Sequence, residues 1–173
     1  MKKFNFSRLV VIAFVITLFS FIGCKPDPEI PVGSTPITPV EISADDAIIG
    51  VWSCTYDNGY VETYTITNTT FDAGEYSYAG DNLKVIKSSE TSGYIYIKYT
   101  KSMNADYSFS STAPDVGKWY ALHYKNLTAT SIKLSGAWKA DGVSSTDTID
   151  EAIKEFTVAN GYFGAYSELT KVQ

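Results

Sequence analysis

The residue types that most often carry catalysis are sparse in this chain. The 173 residues include one histidine, His123, which stands in an alternating apolar segment without the second histidine that a zinc site would need. Asp45 and Asp46 end a proline-rich stretch, and Asp150 and Glu151 suit the first turn of a predicted helix. No nucleophile elbow, phosphate-binding loop or His-Glu-x-x-His motif occurs. We therefore expect no enzymatic activity, no metal site and no cofactor.

Aromatic residues, which suit binding rather than catalysis, are abundant. The chain has 13 tyrosines, nine phenylalanines and three tryptophans. On the first two predicted strands they share one face with a carboxylate, and these candidate ligand-binding residues are Trp52, Tyr56, Tyr60, Glu62 and Tyr64. If that face lines a barrel, it forms an aromatic wall for a hydrophobic or aromatic small molecule. The alternative is that aromatic side chains fill the interior themselves.

The elements that position these residues are mainly β-strands. Apolar and polar residues alternate between turns that contain Gly, Asn and Asp, which is typical of strands in a sandwich or a barrel. Asn58-Gly59 is a hairpin signal, and Ala79–Asn82 is predicted to be a turn. The predicted strands cover residues 48–56, 60–66, 71–78, 83–88, 94–99, 119–124, 132–138 and 162–170. We expect an eight-stranded antiparallel up-and-down barrel, with a β-sandwich as the alternative.

One helix is predicted between the seventh and eighth strands. Thr148 and Glu151 have the spacing of a capping box. Ile149, Ala152, Ile153 and Phe156 then recur at helical spacing, which indicates a single apolar stripe that must cover the sheet.

The N-terminus predicts export. Lys2, Lys3 and Arg8 precede a nearly charge-free segment, residues 9–22, which is shorter than the roughly 20 residues a spanning helix needs. This arrangement is typical of a secretory signal peptide, which we assign to residues 1–23.

The end of that segment, Phe21-Ile22-Gly23-Cys24, resembles the bacterial lipobox. The resemblance implies that the chain is cut before Cys24 and that this cysteine carries the lipid. It therefore implies a cell-envelope protein held on a bacterial membrane, which we expect to be the outer membrane.

A tether and one domain follow the lipidated cysteine. Residues 24–46 hold five of the six prolines, which favours an extended spacer, and residues 47–173 form the predicted domain. The segment 1–23 holds three of the 14 basic residues, so the rest carries 11 basic against 19 acidic residues, a net charge of −8. We expect no nucleic-acid partner and no electrostatic membrane binding, which leaves the lipid as the membrane attachment. Cys54 is left without a disulfide partner.

Gly50-Val51-Trp52 in the first strand resembles the Gly-x-Trp signature of lipocalins. Residues 94–100, and residues 119–128 followed by the helix, resemble lipocalin-like lipoproteins of spirochaetes. Lipocalins also place a basic residue late in the barrel over this tryptophan, and the sequence does not identify that residue here. The resemblance implies an envelope-anchored barrel that binds a small hydrophobic ligand. The alternative is a protein-interaction or host-interaction module whose filled barrel presents loops such as 102–116.

Overall fold

Alternating apolar residues build a mainly β structure. The computed structural model describes residues 38–173, and within this range the chain forms nine strands and one helix. These elements are β1 (Gly50–Thr55), β2 (Val61–Ile66), β3 (Phe71–Asp72), β4 (Ala79–Lys87), β5 (Gly93–Met103), β6 (Phe109–Ser110), β7 (Trp119–Lys125), β8 (Ser131–Gly136), α1 (Ile149–Glu155) and β9 (Ser167–Lys171).

Eight of the strands close into an antiparallel up-and-down barrel. Each pairs with its neighbour along the chain, except that β5 pairs with β7, and β1 pairs with β9 to close the sheet. The short β6 pairs only with the outer end of β5 and extends beyond the barrel. Helix α1 lies between the seventh and eighth barrel strands. The predicted barrel and the place of its helix are confirmed, and the sandwich alternative is wrong.

The antiparallel order gives the barrel two distinct ends. We call "mouth" the end that carries loops 56–60, 73–78, 104–108 and 137–166, and "base" the end that carries loops 67–70, 88–92 and 126–130. The N-terminal segment before β1 lies at the base.

Side chains fill the barrel interior. Residues paired directly across two strands share a face, as do Trp52 with Tyr64 and Val85 with Ile95. Followed around the barrel, this register gives an inward face that is buried on every strand. Its main members are Trp52, Tyr64, Ile66, Phe71, Val85, Ile95, Ile97, Tyr99, Tyr120, Leu122, Tyr124, Ile132, Leu134 and Leu169.

Helix α1 begins as predicted. The Thr148 hydroxyl accepts a hydrogen bond from the Glu151 amide, and the Glu151 carboxylate accepts one from the Thr148 amide, so the capping box is confirmed. Ala152 and Phe156 are fully buried. The Phe156 ring lies edge-on to Tyr120 of β7, with 6.0 Å between ring centres. The apolar stripe therefore covers the barrel, as expected.

The base is closed by the segment that leads into β1. The Trp52 indole donates a hydrogen bond to the Ile48 carbonyl at 2.8 Å, and both residues are buried. The Lys171 ammonium lies 5.0 Å from the centre of the Trp52 ring. Only the β1–β9 register brings Lys171 to Trp52, so the sequence alone did not identify this contact.

Residues 40–46, which the sequence assigned to the tether, also contact the barrel. Val40 forms a two-way backbone bridge with Val85 of β4, and Ile42 is buried. Ion pairs join Lys84 to Glu41 and Lys87 to Asp46, each at 2.6 Å. The chain therefore joins the domain at Val40, before the predicted boundary at residue 47.

The predicted turn at Ala79–Asn82 is wrong, because these residues form the first half of β4. A register shift between Asp81 and Lys84 marks a β-bulge, and Asn82 adopts the left-handed φ of 52° there. At Gly80 a Cβ atom would lie 2.8 Å from the Cβ of Ile97. Gly80 thus allows two strands to approach closely, and Asn82 forms a bulge inside β4. The sequence pattern had indicated a turn for both.

The predicted signal peptide, Cys24 and the tether as far as residue 37 lie outside the described residues. Within residues 38–173, no helix has the length and apolar character required to cross a membrane.

Candidate functional site

The carboxylate of Glu62 is the centre of a hydrogen-bonded cluster near the mouth. Tyr56, in the β1–β2 hairpin, donates to Glu62 Oε2 at 2.7 Å, and Tyr64 donates to Glu62 Oε1. The Cys54 thiol lies 3.6 Å from Oε2, and the Tyr56 hydroxyl lies 3.4 Å from Ser167 Oγ on β9. Both oxygens of this half-buried carboxylate therefore have partners, as a carboxylate beside an apolar interior requires.

The protonation states of the cluster follow from these contacts. Burial raises the pKa of Glu62. The hydrogen bonds from Ser167, Tyr64, Tyr56 and Cys54 lower the pKa by more than burial raises it, so the pKa lies below the ordinary value of 4.5. For Tyr56 the Ser167 hydrogen bond lowers the pKa, whereas Glu62 and burial raise it, to about 12 in all. Burial and Glu62 also raise the pKa of Tyr64. At neutral pH the site is an ionised carboxylate held by neutral phenols.

The structure brings together three of the five predicted ligand-binding residues. Tyr56, Glu62 and Tyr64 form the cluster, whereas the Trp52 indole is turned toward the base and fully buried. Tyr60 lies outside the interior with 61% of its surface exposed, and its ring stacks on Tyr56 at 5.9 Å. The five residues therefore do not line one pocket.

A chain of aromatic rings crosses the upper interior beside this cluster. Tyr64 packs on Phe71 and Phe71 on Tyr78, each with 5.6 Å between ring centres. Tyr78 meets Tyr120 edge-on at 5.2 Å, and Tyr120 stacks on Tyr99 at 4.9 Å. Burial raises the pKa of Tyr78, Tyr99 and Tyr120, which stay neutral at physiological pH. These rings pack on one another, and Tyr64 is the one member of the predicted ligand-binding face among them.

The mouth loops carry a second aromatic feature, which the sequence analysis missed. Within residues 38–173, the aromatic side chains with the largest exposed fractions are Tyr56, Tyr60, Tyr76, Tyr107 and Trp138, which we call the mouth surface. All five lie in mouth loops. The base loops 67–70, 88–92 and 126–130 have no aromatic residue at all. A signal was present in the sequence, because every one of these aromatics lies within three residues of an Asp-Asn-Gly, Gly-Glu, Asn-Ala-Asp or Asp-Gly turn.

A groove of about 360 Å³ lies beside one member of the mouth surface. Its lining includes Trp138, Lys139, Tyr162 and Gly164. The Lys139 ammonium lies 5.8 Å from the centre of the Tyr162 ring. The groove therefore continues the mouth surface toward the segment that leads into β9.

His123 is positioned by aromatic contacts. It is 2% exposed, its Nδ1 is 2.9 Å from the Tyr166 hydroxyl, and its ring meets Tyr94 edge-on at 4.7 Å. It lies on the outward face of β7, beneath the segment that connects α1 to β9, where its ring contacts Phe163 and Tyr166. Among the described residues, no three His, Cys, Asp or Glu side chains are grouped as metal ligands.

Comparisons of the chain with protein-family models, with curated proteins and with solved structures find no match.

Proposed function

We propose that the protein is a non-enzymatic, membrane-anchored lipoprotein of a bacterial envelope, in which a lipocalin-like barrel presents the mouth surface to another protein. The observation that carries the proposal is the separation of the two ends. Five exposed aromatic side chains lie at the mouth, and the base loops consist mostly of Ser, Thr and Asn. Filling of the interior by its own side chains supports the interaction module over a carrier.

Exposed aromatic side chains on loops suit protein recognition. Tyrosine and tryptophan supply large, rigid, amphipathic contact area, and they are enriched at the centres of protein interfaces. Tyr76 is 85% exposed, Tyr107 80% and Trp138 75%, so packing of the domain does not account for them. The flanking Gly, Ser and Asn residues can adapt their hydrogen bonds to a partner.

The point at which the chain enters the barrel supports a mouth surface that faces away from the membrane. Val40 joins the barrel next to Val85, near the base end of β4. Lipid on Cys24 would therefore attach the domain from the base side, and the extended tether would add about 3.1 Å per residue. The mouth surface would then face away from the anchoring membrane.

A second candidate function is binding of a small hydrophobic or aromatic molecule at the Tyr56–Glu62–Tyr64 cluster. The supporting observation is a preorganised, ionised carboxylate next to two stacked tyrosines. Native mass spectrometry of the purified full chain tests it: this second function predicts an added mass that disappears on denaturation and is reduced by Glu62→Gln and Tyr64→Ala. A clean apo mass in the presence of added fatty acids and aromatic compounds would exclude the small-molecule carrier.

Site-specific photocrosslinking in the intact envelope tests the main proposal. A photoreactive phenylalanine analogue replaces Tyr76 or Tyr107 at the mouth and, as matched controls, Thr91 or Thr128 in exposed base loops. We expect a discrete protein adduct from the mouth positions only. Equal adducts from both ends, or no adduct from the mouth, would refute the interaction module.

A further inference from the structure

We propose that the mouth surface recognises a basic protein face, through Lys and Arg side chains of the partner. This inference rests on the proposed function and adds the chemistry of the partner. It starts from a repeated sequence pattern in which an exposed aromatic residue is followed or preceded directly by an acidic residue. The pairs are Tyr56 with Asp57, Tyr76 with Glu75, and Tyr107 with Asp106, while Asp141 follows Trp138 in the fourth loop.

The charge of the mouth loops is one-sided. The segments that carry the exposed aromatic residues, 56–60, 73–78, 104–108 and the first part of the last loop, 137–143, hold the four acidic residues just named and one basic residue, Lys139. Lys139 lies 3.8 Å from Asp141, whereas within residues 38–173 Asp57, Glu75 and Asp106 have no salt bridge. One neighbouring cation, Lys101, donates to the backbone carbonyls of Gly74 and Glu75 and leaves the Glu75 carboxylate unpaired.

An aromatic ring beside a carboxylate is a two-part receptor for a Lys or Arg side chain. The cation can lie over the ring face while its N–H groups donate to the carboxylate, and both contacts strengthen when water is excluded. The protein already uses the ring contact internally, since the Lys125 ammonium lies 3.8 Å above the Tyr166 ring. At the mouth, the matching cations would have to come from the partner.

The same pattern argues against a second bilayer as the partner. Aromatic residues insert at membrane interfaces, but peripheral binding to anionic lipid relies on Lys and Arg. The mouth loops have the opposite charge. A basic protein face satisfies both the rings and the carboxylates.

Binding of charged model peptides to the full chain in detergent micelles tests the chemistry. The probes are three peptides of equal length in which Gly-Ser spacers separate Lys, Arg or Glu residues. We expect the Lys and Arg peptides to bind and the Glu peptide not to bind, with affinity falling about tenfold between about 50 and 200 mM salt. Equal binding of the Glu peptide would overturn the proposal.

Matched variants separate the mouth from the overall charge. The mouth variant carries Asp57→Asn, Glu75→Gln and Asp106→Asn, and the control carries Glu41→Gln, Glu90→Gln and Glu168→Gln, which removes the same charge elsewhere. We expect about tenfold weaker peptide binding for the mouth variant and less than about twofold for the control. Equal weakening by both would show that net charge alone acts.

Two further measurements distinguish the possible failures. In one, the full chain is reconstituted in phosphatidylcholine vesicles, which are mixed with protein-free vesicles containing phosphatidylglycerol. Clustering of the two kinds of vesicle that depends on Tyr76 and Tyr107 would identify a bilayer, and not a basic protein, as the partner. In the other, the charge variant is combined with photocrosslinking at Tyr107. We expect the adduct to be lost. An adduct of unchanged yield would refute the basic partner while the interaction function stands, and absence of any mouth adduct in the parent protein would refute the function itself.

Discussion

Glu62 illustrates how a single residue couples the mouth to the interior. Its carboxylate accepts hydrogen bonds from Tyr64, which begins the interior aromatic chain, and from Tyr56, which stacks on exposed Tyr60. Alternation along β2 put Glu62 on one face with Tyr60 and Tyr64, and a carboxylate on a face that lines a barrel needs partners. The hydroxyls of two tyrosines meet this need without a metal or a buried cation.

Replacing Glu62 tests this coupling. Glu62→Gln keeps the shape but removes the charge that both phenols donate to, and we expect a loss of about 1–2 kcal/mol in the free energy of unfolding at pH 7. The pKa of Glu62 is lowered in the folded state, so its stabilisation is complete above about pH 4.5 and disappears as the pH falls through the folded pKa. The difference between parent and variant, measured by urea unfolding, should therefore shrink toward pH 3.

Glu168→Gln provides the control for the loss of a negative charge. Glu168 is exposed and pairs with Lys133 on the barrel surface, where ion pairs contribute about 0–1 kcal/mol. A difference for Glu62→Gln that stays constant from pH 7 to pH 3 would contradict an ionised Glu62 in the folded protein.

At the scale of elements, the approach of β8 to β7 depends on a missing side chain. A Cβ atom at Gly136 would lie 2.4 Å from the Tyr120 hydroxyl and 3.1 Å from the Tyr78 hydroxyl. Glycine is thus required where the end of β8 passes over the hydroxyl end of the aromatic chain. Gly136 leaves room for the hydroxyl groups of Tyr120 and Tyr78, which lie where the methyl group of an alanine would be.

Gly136→Ala should therefore destabilise the barrel by about 1–3 kcal/mol, because it overpacks a filled interior. In a Tyr120→Phe background the nearest clashing atom is gone, and the cost of Gly136→Ala should fall by about half. Chemical unfolding of the four proteins in this double-mutant cycle measures the coupling. Additive effects would show that Tyr120 does not limit the space at Gly136.

The elements themselves show what a sequence can and cannot predict. Alternation and the Thr148 capping box predicted the barrel and its helix, because both are local patterns. Asn82 was misleading, since the same left-handed conformation serves a turn or a bulge. Lys171 and the mouth surface required the register and the loop positions, which depend on contacts between distant parts of the chain. The sequence predicted that the five candidate ligand-binding residues share one face. The structure shows that Tyr60 is exposed and Trp52 is buried.

For the whole molecule, the filled interior makes stability sensitive to alkali. Burial raises the pKa of Tyr64, Tyr78, Tyr99 and Tyr120 well above 10, so these phenols stay neutral in the folded state at pH values where an unfolded chain loses its protons. Stabilisation from such groups is complete below the unfolded pKa and is lost as the pH rises toward the folded pKa.

We therefore expect the free energy of unfolding to fall above about pH 10, by about 1.4 kcal/mol per pH unit for each interior tyrosine. Urea unfolding from pH 8 to pH 11 measures the slope. Tyr99→Phe should reduce it, whereas Tyr107→Phe, at a residue that is 80% exposed, should leave it unchanged. A flat profile up to pH 11 would contradict a densely packed interior of neutral phenols.

The pairing of β1 with β9 has a consequence for the order of folding. Strand β1 cannot complete its pairing until β9 has been synthesised. Until then Lys171 does not cover Trp52, and both edges of the sheet remain unpaired. Such a long-range closure is slow and comes late. Nearly the whole domain must therefore emerge from the ribosome, or from a membrane channel, before the barrel can close. The unpaired edges are exposed in that interval, which is when we expect the chain to be most prone to aggregation or to need a chaperone.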